Sequence, residues 1–305
     1  VSISDNVTGT CPIVITRTYT ITDDCGSSSQ ADQIINIDDT TAPVITAPAA
    51  DSIEACSVAA GLADYSETAL DITGQEGTYG FSVVEACNFT VTYQDATVGS
   101  CPWTVTRTYT ATDVCGNSDT KTQTITIDDT TNPTIDTQAA PETVECDGAG
   151  NIAALNAWLA SNGGAAASDD CGGVTWSNNF SALSDLCGAT GAATVTFTAT
   201  DDCNNTSTTA ATFTIEDTTD PTIDTPASDL TVECDGAGNA TQLAAWLASN
   251  GGAAASDACG GVSWSNDFTG LSFVCGATGA VTVIFTAADD CNNTSTTAAT
   301  FTIED

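Results

Sequence analysis

Residues 193–199 read Ala-Thr-Val-Thr-Phe-Thr-Ala, and residues 201–205 just beyond them read Asp-Asp-Cys-Asn-Asn. The first run alternates with period two and is built from β-branched and aromatic residues, which predicts a half-buried strand. The second gathers the Asp and Asn that favour turns, so it predicts a tight reversal carrying a cysteine. Thr122-Gln-Thr-Ile-Thr-Ile127 shows the same alternation. A version of the whole stretch returns 88 residues later and ends in Asp289-Asp-Cys-Asn-Asn293.

The cysteines keep the same beat. Cys146, Cys171, Cys187 and Cys203 recur as Cys234, Cys259, Cys275 and Cys291, each 88 residues on. Cys11 and Cys25 recur as Cys101 and Cys115, 90 residues on. A period of this size is one domain rather than a small solenoid unit. A recurring phrase separates the copies: Asp38-Asp-Thr-Thr-Ala-Pro43, Asp128-Asp-Thr-Thr-Asn-Pro133 and Glu216-Asp-Thr-Thr-Asp-Pro221. Residues 1–42 therefore read as the C-terminal half of a module. Residues 43–131, 132–218 and 219–305 read as three full modules, the last two nearly identical. The expected fold is all-β: tandem Ig-like β-sandwich modules in a linear array. One helix is inserted in modules three and four, where Leu155, Trp158 and Leu159 (copied as Leu243, Trp246 and Leu247) form an apolar stripe that ends at Gly163 and Gly251. Such a stripe serves the core.

Lys and Arg number three against 40 acids, a net charge of −37. A chain so acidic repels nucleic acid and anionic membrane surfaces and attracts cations. An apolar fraction of 41%, laid out in alternating runs, separates it from a disordered polyanion. Fourteen cysteines at repeated spacing predict disulfides and an oxidising, extracellular setting. With no His and no CxxC pair, zinc is disfavoured, and no apolar run is long enough to span a membrane. The chain starts and stops inside its own pattern, which suggests a window on a longer secreted protein. A general base is hard to find without His, so the expectation is not an enzyme.

Thr106-Arg-Thr-Tyr-Thr-Ala-Thr-Asp-Val-Cys-Gly-Asn117, followed by strand residues and Asp129-Thr-Thr-Asn-Pro133, resembles the hyalin-repeat (HYR) type of Ig-like module. It is also similar to repeats of giant surface adhesins of Bacteroidota. The resemblance covers all the modules and implies a bacterial cell-surface filament, adhesin or matrix protein.

In a seven-strand sandwich the chain alternates between two poles. Cys171 and Cys203 fall on turns at the leading pole, and Cys146 and Cys187 at the trailing pole. Of the three connectivities open to four cysteines, this placement favours Cys171–Cys203 with Cys146–Cys187. The equivalents are Cys259–Cys291 with Cys234–Cys275, and Cys87–Cys115 with Cys56–Cys101. A sequential alternative joins Cys187 to Cys203. Cys11 and Cys25 are left without partners, because the half-module is cut short or is completed by another copy.

The same poles gather acids. One junction collects Asp128, Asp129, Asp169, Asp170, Asp201 and Asp202; the next collects Glu216, Asp217, Asp220, Asp257, Asp289 and Asp290; a poorer one has Asp38, Asp39, Glu85 and Asp113. Carboxylates this close, with almost no Lys or Arg to pair with, predict a structural calcium ion, which takes six to eight oxygens. The phrase Cys146-Asp-Gly-Ala-Gly-Asn151 reads as a tight turn and helix cap, with a small calcium turn as the alternative. Asn6, Asn88, Asn179, Asn204, Asn205, Asn239, Asn292 and Asn293 begin glycosylation sequons. The leading functional reading is a structural filament or adhesin stalk whose partners are further modules of its own chain or other copies. The alternative is a set of multivalent modules binding surface glycans, ice or a protein.

Overall fold

Alternating Thr and apolar residues form long antiparallel hairpins throughout the computed structural model. It describes residues 1–275 and 278–305, with only the backbone for 273–275. The chain forms two compact units. The first holds residues 1–132 with two short turns, 170–173 and 201–205. The second holds 133–169, 174–200 and 206–305.

In the first unit, residues 1–42 make a three-stranded sheet of β1 (Ser2–Thr8), β2 (Ile13–Thr22) and β3 (Ser28–Ile37), in that order. Residues 43–131 form two layers. β4 (Val44–Thr46) pairs with β7 (Ser82–Val84) in one. The other is ordered β5 (Asp51–Glu54), β10 (Ser118–Asp128), β9 (Trp103–Asp113), β8 (Phe89–Gly99) and β6 (Leu70–Asp71). Val91, Tyr93, Tyr109 and Ala111 point inward from β8 and β9 and meet Ile45, Ile72 and Phe81. Two one-turn helices, α1 (Val58–Gly61) and α2 (Glu76–Tyr79), also lie in this module. Sequence periodicity placed helix only in modules three and four, because four residues are too short to show a 3.6 period.

The second unit repeats the plan twice. β12 (Glu142–Glu145), β16 (Thr206–Glu216), β15 (Gly191–Thr200) and β14 (Thr175–Asn178) form one sheet, and β11 (Thr134–Thr137) pairs with β13 (Ala166–Ser168). The second copy has β17 (Thr222–Thr225) with β19 (Ala254–Ser256), and the sheet β18 (Leu230–Glu233), β23 (Thr294–Glu304), β22 (Thr278–Asp289), β20 (Val262–Asn266). β21 (Ser272–Cys275) is added to β22. The first strand of each of the three full modules is split. β11 pairs antiparallel, whereas β12, beyond Pro141, crosses over to run parallel with β16. Pro48 and Pro226 occupy the same break. Proline has no N–H to give the ladder, so the strand interrupts there and changes partner.

α3 (Ile152–Ala160) and α4 (Ala240–Ala248) lie where the sequence placed them. Trp158 is buried, stacks edge-on to Phe197 at 5.2 Å between ring centres, and donates its indole N–H to Ala140 O at 3.0 Å. Trp246 does the same with Phe285 and Ser228 O. The expected side-chain cap is not what Asn151 provides. Its backbone is left-handed (φ 50°), its amide donates to Glu145 O, and its Oδ1 accepts from Asp147 N–H. It fastens the Cys146 turn to the strand before it, so the tight-turn half of the reading holds and the cap does not.

Candidate functional site

The module boundaries carry the chemistry, beginning with sulfur. Each hairpin β9–β10, β15–β16 and β22–β23 reverses on an Asp-x-Cys-x-Asn/Ser phrase of the kind also found at 23–27. Asp201 Oδ1 accepts from the backbone N–H of Cys203 (2.8 Å) and Asn205 (2.9 Å), which fixes the turn and presents the sulfur. Asp113 and Asp289 repeat this at Cys115 and Cys291. Beside it runs the turn holding Cys171. Gly172 lies so close to the Asp202 carboxylate that a side chain there would collide with it. In the fourth module Asp290 accepts from Gly261 N–H at 2.8 Å. Cys171 and Cys203 therefore do share a pole, as expected.

Their bonds go elsewhere. The disulfides are Cys11–Cys115, Cys56–Cys171, Cys101–Cys203, Cys146–Cys259 and Cys187–Cys291. The expected pairs Cys171–Cys203, Cys146–Cys187, Cys259–Cys291, Cys87–Cys115 and Cys56–Cys101 do not form. Neither does the sequential alternative, and Cys11, expected to be partnerless, is bonded. Partners are 102–115 residues apart, more than one module length, so every bond joins a module to the next. The physical reason is that a trailing-pole cysteine has two neighbourhoods: its own pole and the leading pole of the following module. The Cα atoms of Cys146 and Cys259 are 6.1 Å apart, and those of Cys187 and Cys291 5.1 Å, within disulfide reach. Cys25, Cys87 and Cys234 are free thiols; the side chain of Cys275 lies outside the described residues.

The linker phrase is held by a residue the sequence reading passed over. Glu145, directly ahead of Cys146, accepts from Thr218 N–H (2.8 Å), Thr218 Oγ1 (2.9 Å) and Thr219 Oγ1 (2.8 Å). Glu54 does the same for Thr130 N–H and Oγ1. The signal was the glutamate that stands one or two places before the first cysteine of each full module, at Glu54, Glu145 and Glu233. Hydrogen bonds from Thr130 and Thr218 lower the Glu54 and Glu145 carboxyls below the ordinary value of about 4.3. A depressed acid stabilises the fold above its unfolded pKa, and that contribution is lost as pH falls through the folded value. Glu145→Gln is therefore expected to speed protease cleavage within 217–221 at pH 7, and the difference from the parent protein is expected to shrink as pH falls below the ordinary carboxyl range. Equal rates for the two proteins at pH 7 would refute the clamp.

Asn117, Asn205 and Asn293 close the turn from the other side. Each donates its amide to the backbone carbonyl of the preceding linker, Asp39, Asp129 and Asp217, at 2.9, 2.8 and 3.1 Å. Asn205 and Asn293 were candidate glycosylation sites. Their amide nitrogens are already used in these bonds.

The predicted acids divide by what they do. Asp113, Asp201 and Asp289 are taken up by the turns. Asp202 and Asp290 pack against glycine backbone, and Asp220 accepts from Thr294 N–H at 3.1 Å. Glu216 lends its carbonyl to Cys146 N–H, and the Asp170 carbonyl lies 3.7 Å from Cys56 Sγ. Asp38 and Asp128 sit 3.4 Å from the sulfurs of Cys11 and Cys101. Asp169 belongs to the second unit, whereas Asp128, Asp129, Asp170, Asp201 and Asp202 belong to the first. Two carboxylate pairs do converge within a unit: Asp39 with Glu85, beside Cys87, and Asp217 with Asp257, beside Cys259. The second pair lines a cavity of about 340 Å³ together with Thr219, Asp220 and Ser256. Burial, with the nearby charges of Asp257, Asp289 and Glu145, raises the Asp217 carboxyl. Asp39 likewise raises the Cys87 thiol, helped by burial.

Arg107 is the other unforeseen residue. It grips Asp95 through Nε (2.8 Å) and Nη2 (2.9 Å), and Asp64 through Nη1 (2.9 Å) and Nη2 (3.1 Å). Its guanidinium lies 4.1 Å from the Tyr93 ring centre. Side-chain exposure is 4% for Arg107 and 0% for Asp95, so this is a buried ion pair in the core of the second module.

These features define tandem β-sandwich modules joined by disulfides across each boundary, one at the first and two at each of the next two. No protein-family model and no curated protein sequence matches the chain. Among solved structures it is similar to Drosophila N-cadherin EC1-4, at 10% identity and TM-score 0.27 over 96% of this chain and 83% of that one. The protocadherin GammaB4 extracellular domain gives 14% and 0.28 over 96% of this chain and 54% of that one. The human desmocollin-1 ectodomain gives 10% and 0.23 over 96% and 67%. Likeness at this level carries no functional conclusion.

Proposed function

We propose that the chain is a structural segment of an extracellular filament or adhesin stalk, with calcium as a second tie at its module boundaries. One observation supports this most: successive modules are bonded to each other by cysteines placed at equivalent positions in each repeat, at boundaries where Glu–Thr and Asn–carbonyl bonds recur as well. Cross-links that fix a module to its neighbour oppose bending and pulling apart, which is what a stalk requires. They persist in oxidising surroundings, which supports an extracellular location. The hyalin-repeat resemblance agrees with this role.

Calcium is proposed at Asp217 with Asp257 and at Asp39 with Glu85. The donors at the first pair suit a hard cation, because the neighbouring Cys259 sulfur is tied up in a disulfide and the remaining lining offers carboxylate and hydroxyl oxygen. The Asp217 carboxyl is raised first by burial and then by its anionic neighbours, and a bound cation relieves the second cause. When bound, the ion would neutralise the paired carboxylates. Calcium at about ten times its dissociation constant is expected to stabilise the unit by about 1.4 kcal/mol. Calorimetry in calcium and in chelator tests this: Asp217→Asn with Asp257→Asn should remove the response of the second unit. A melting temperature indifferent to millimolar calcium would sink the calcium assignment. Chelation that abolished adsorption to glycan or ice without moving the melting temperature would favour the multivalent binding reading.

A further inference from the structure

We infer that the open face of the sheet β1–β3 is a docking site for a half-module segment of the 43–90 kind, bonded by disulfide to Cys87. Three observations lead to this one occupant.

The first is an uncovered core face. Residues 1–42 correspond to 91–132, so Ile3, Ile21 and Ile37 stand where Tyr93, Ala111 and Ile127 stand in the complete module. The first three are 58%, 60% and 52% exposed, whereas their counterparts are at most 1% exposed. What covers the counterparts is residues 43–90, through Ile45, Ile72 and Phe81 in one cluster and Leu62 and Ile53 in the other. The second is charge. Arg17 grips Asp5 as Arg107 grips Asp95, but Arg107 has a further carboxylate, Asp64, and that residue also belongs to 43–90. The third is sulfur. Cys171 and Cys259, the equivalents of Cys87, are bonded to Cys56 and Cys146 of the module before. The corresponding partner for Cys87 is a cysteine at the Cys56 position of the covering segment. A cavity of about 200 Å³, lined by Cys87, Cys11, Cys115, Ile13 and Ile37, adjoins that thiol.

Closing the bond oxidises two thiols, which lose two protons and two electrons. Oxidised glutathione, or another disulfide of that class, takes the electrons and becomes two thiols. The test fuses a second copy of residues 43–90, bearing Cys87→Ser, directly ahead of Val1 of the full chain, and oxidises the product in a glutathione buffer. Peptide mapping should show the added Cys56 bonded to Cys87 of the chain. Cys87 should lose its reaction with iodoacetamide while Cys25 keeps its own, and the amides of β1 should gain protection from hydrogen exchange. In a second arm the same 43–90 segment is added as a free peptide, and capture through the same bond supports the site as well. Cys87 remaining fully alkylated in both arms, or the added Cys56 bonding to Cys25, overturns the inference. Protection of β1 that survives Cys87→Ser in the chain would show that the face holds the segment without the sulfur.

Discussion

Arg107→Met is expected to destabilise the second module by about 3–5 kcal/mol, because it strands a buried carboxylate. Asp95 has no exposed side-chain surface, and among the described residues its other close donor is Ser66 N–H at 3.0 Å. The loss of the contact with Tyr93 adds to the cost. A control separates charge from packing. Modules three and four carry Val195 and Val283 at the Arg107 position, fully buried in an apolar core. Arg107→Val combined with Asp95→Leu removes both buried charges together and is expected to recover most of the loss. Urea unfolding of the full chain, followed by the fluorescence of Trp103 in this module, measures both variants. A single substitution that cost less than about 1 kcal/mol would mean that water reaches Asp95 and that the pair is not desolvated.

Removing one boundary disulfide by Cys146→Ser with Cys259→Ser is expected to cost about 4 kcal/mol. The bond closes a loop of 113 residues, for which the chain-entropy argument gives close to 5 kcal/mol in isolation. Cys187–Cys291 already ties the same two modules, so the second bond closes a shorter effective loop and the two losses do not add. Substituting all four cysteines should release the modules to unfold in separate transitions, visible as two steps in calorimetry. Peptide mapping of the unreduced chain decides the connectivity directly. Recovery of Cys146 linked to Cys187 would refute the boundary pairing, and a single unchanged transition after all four substitutions would refute its mechanical role.

Much was legible along the chain. Alternating Thr and apolar residues placed β15, β16 and their copies, because a pleated sheet sends successive side chains to opposite faces. The Leu155–Trp158–Leu159 stripe placed α3 and assigned Trp158 to the core for the corresponding helical reason. Asp-x-Cys-x-Asn marked the hairpin turns, and the module topology put Cys171 with Cys203 at one end and Cys146 with Cys187 at the other. These are local properties, fixed by period and turn chemistry within a few residues.

Tertiary structure decided the partners. Which sulfur Cys146 meets depends on the turn of the following module that comes to its pole, 113 residues away, and no local preference encodes that meeting. The acids followed the same rule. Asp113, Asp201 and Asp289 were expected as cation ligands, and in the folded chain their carboxylates also accept from the N–H groups of their own turns. Glu54 and Glu145 drew no reading from the sequence, because only the parallel pairing of β5 with β10 and of β12 with β16 sets them against the Thr-Thr linkers. Arg107 was only one of three basic residues in the sequence; its partner Asp64 lies 43 residues earlier and meets it only in the fold. The sequence by itself determined the strands, turns and repeat; the three-dimensional approach of distant segments determined what each charge and each sulfur would touch, because those energies arise only once the surfaces meet.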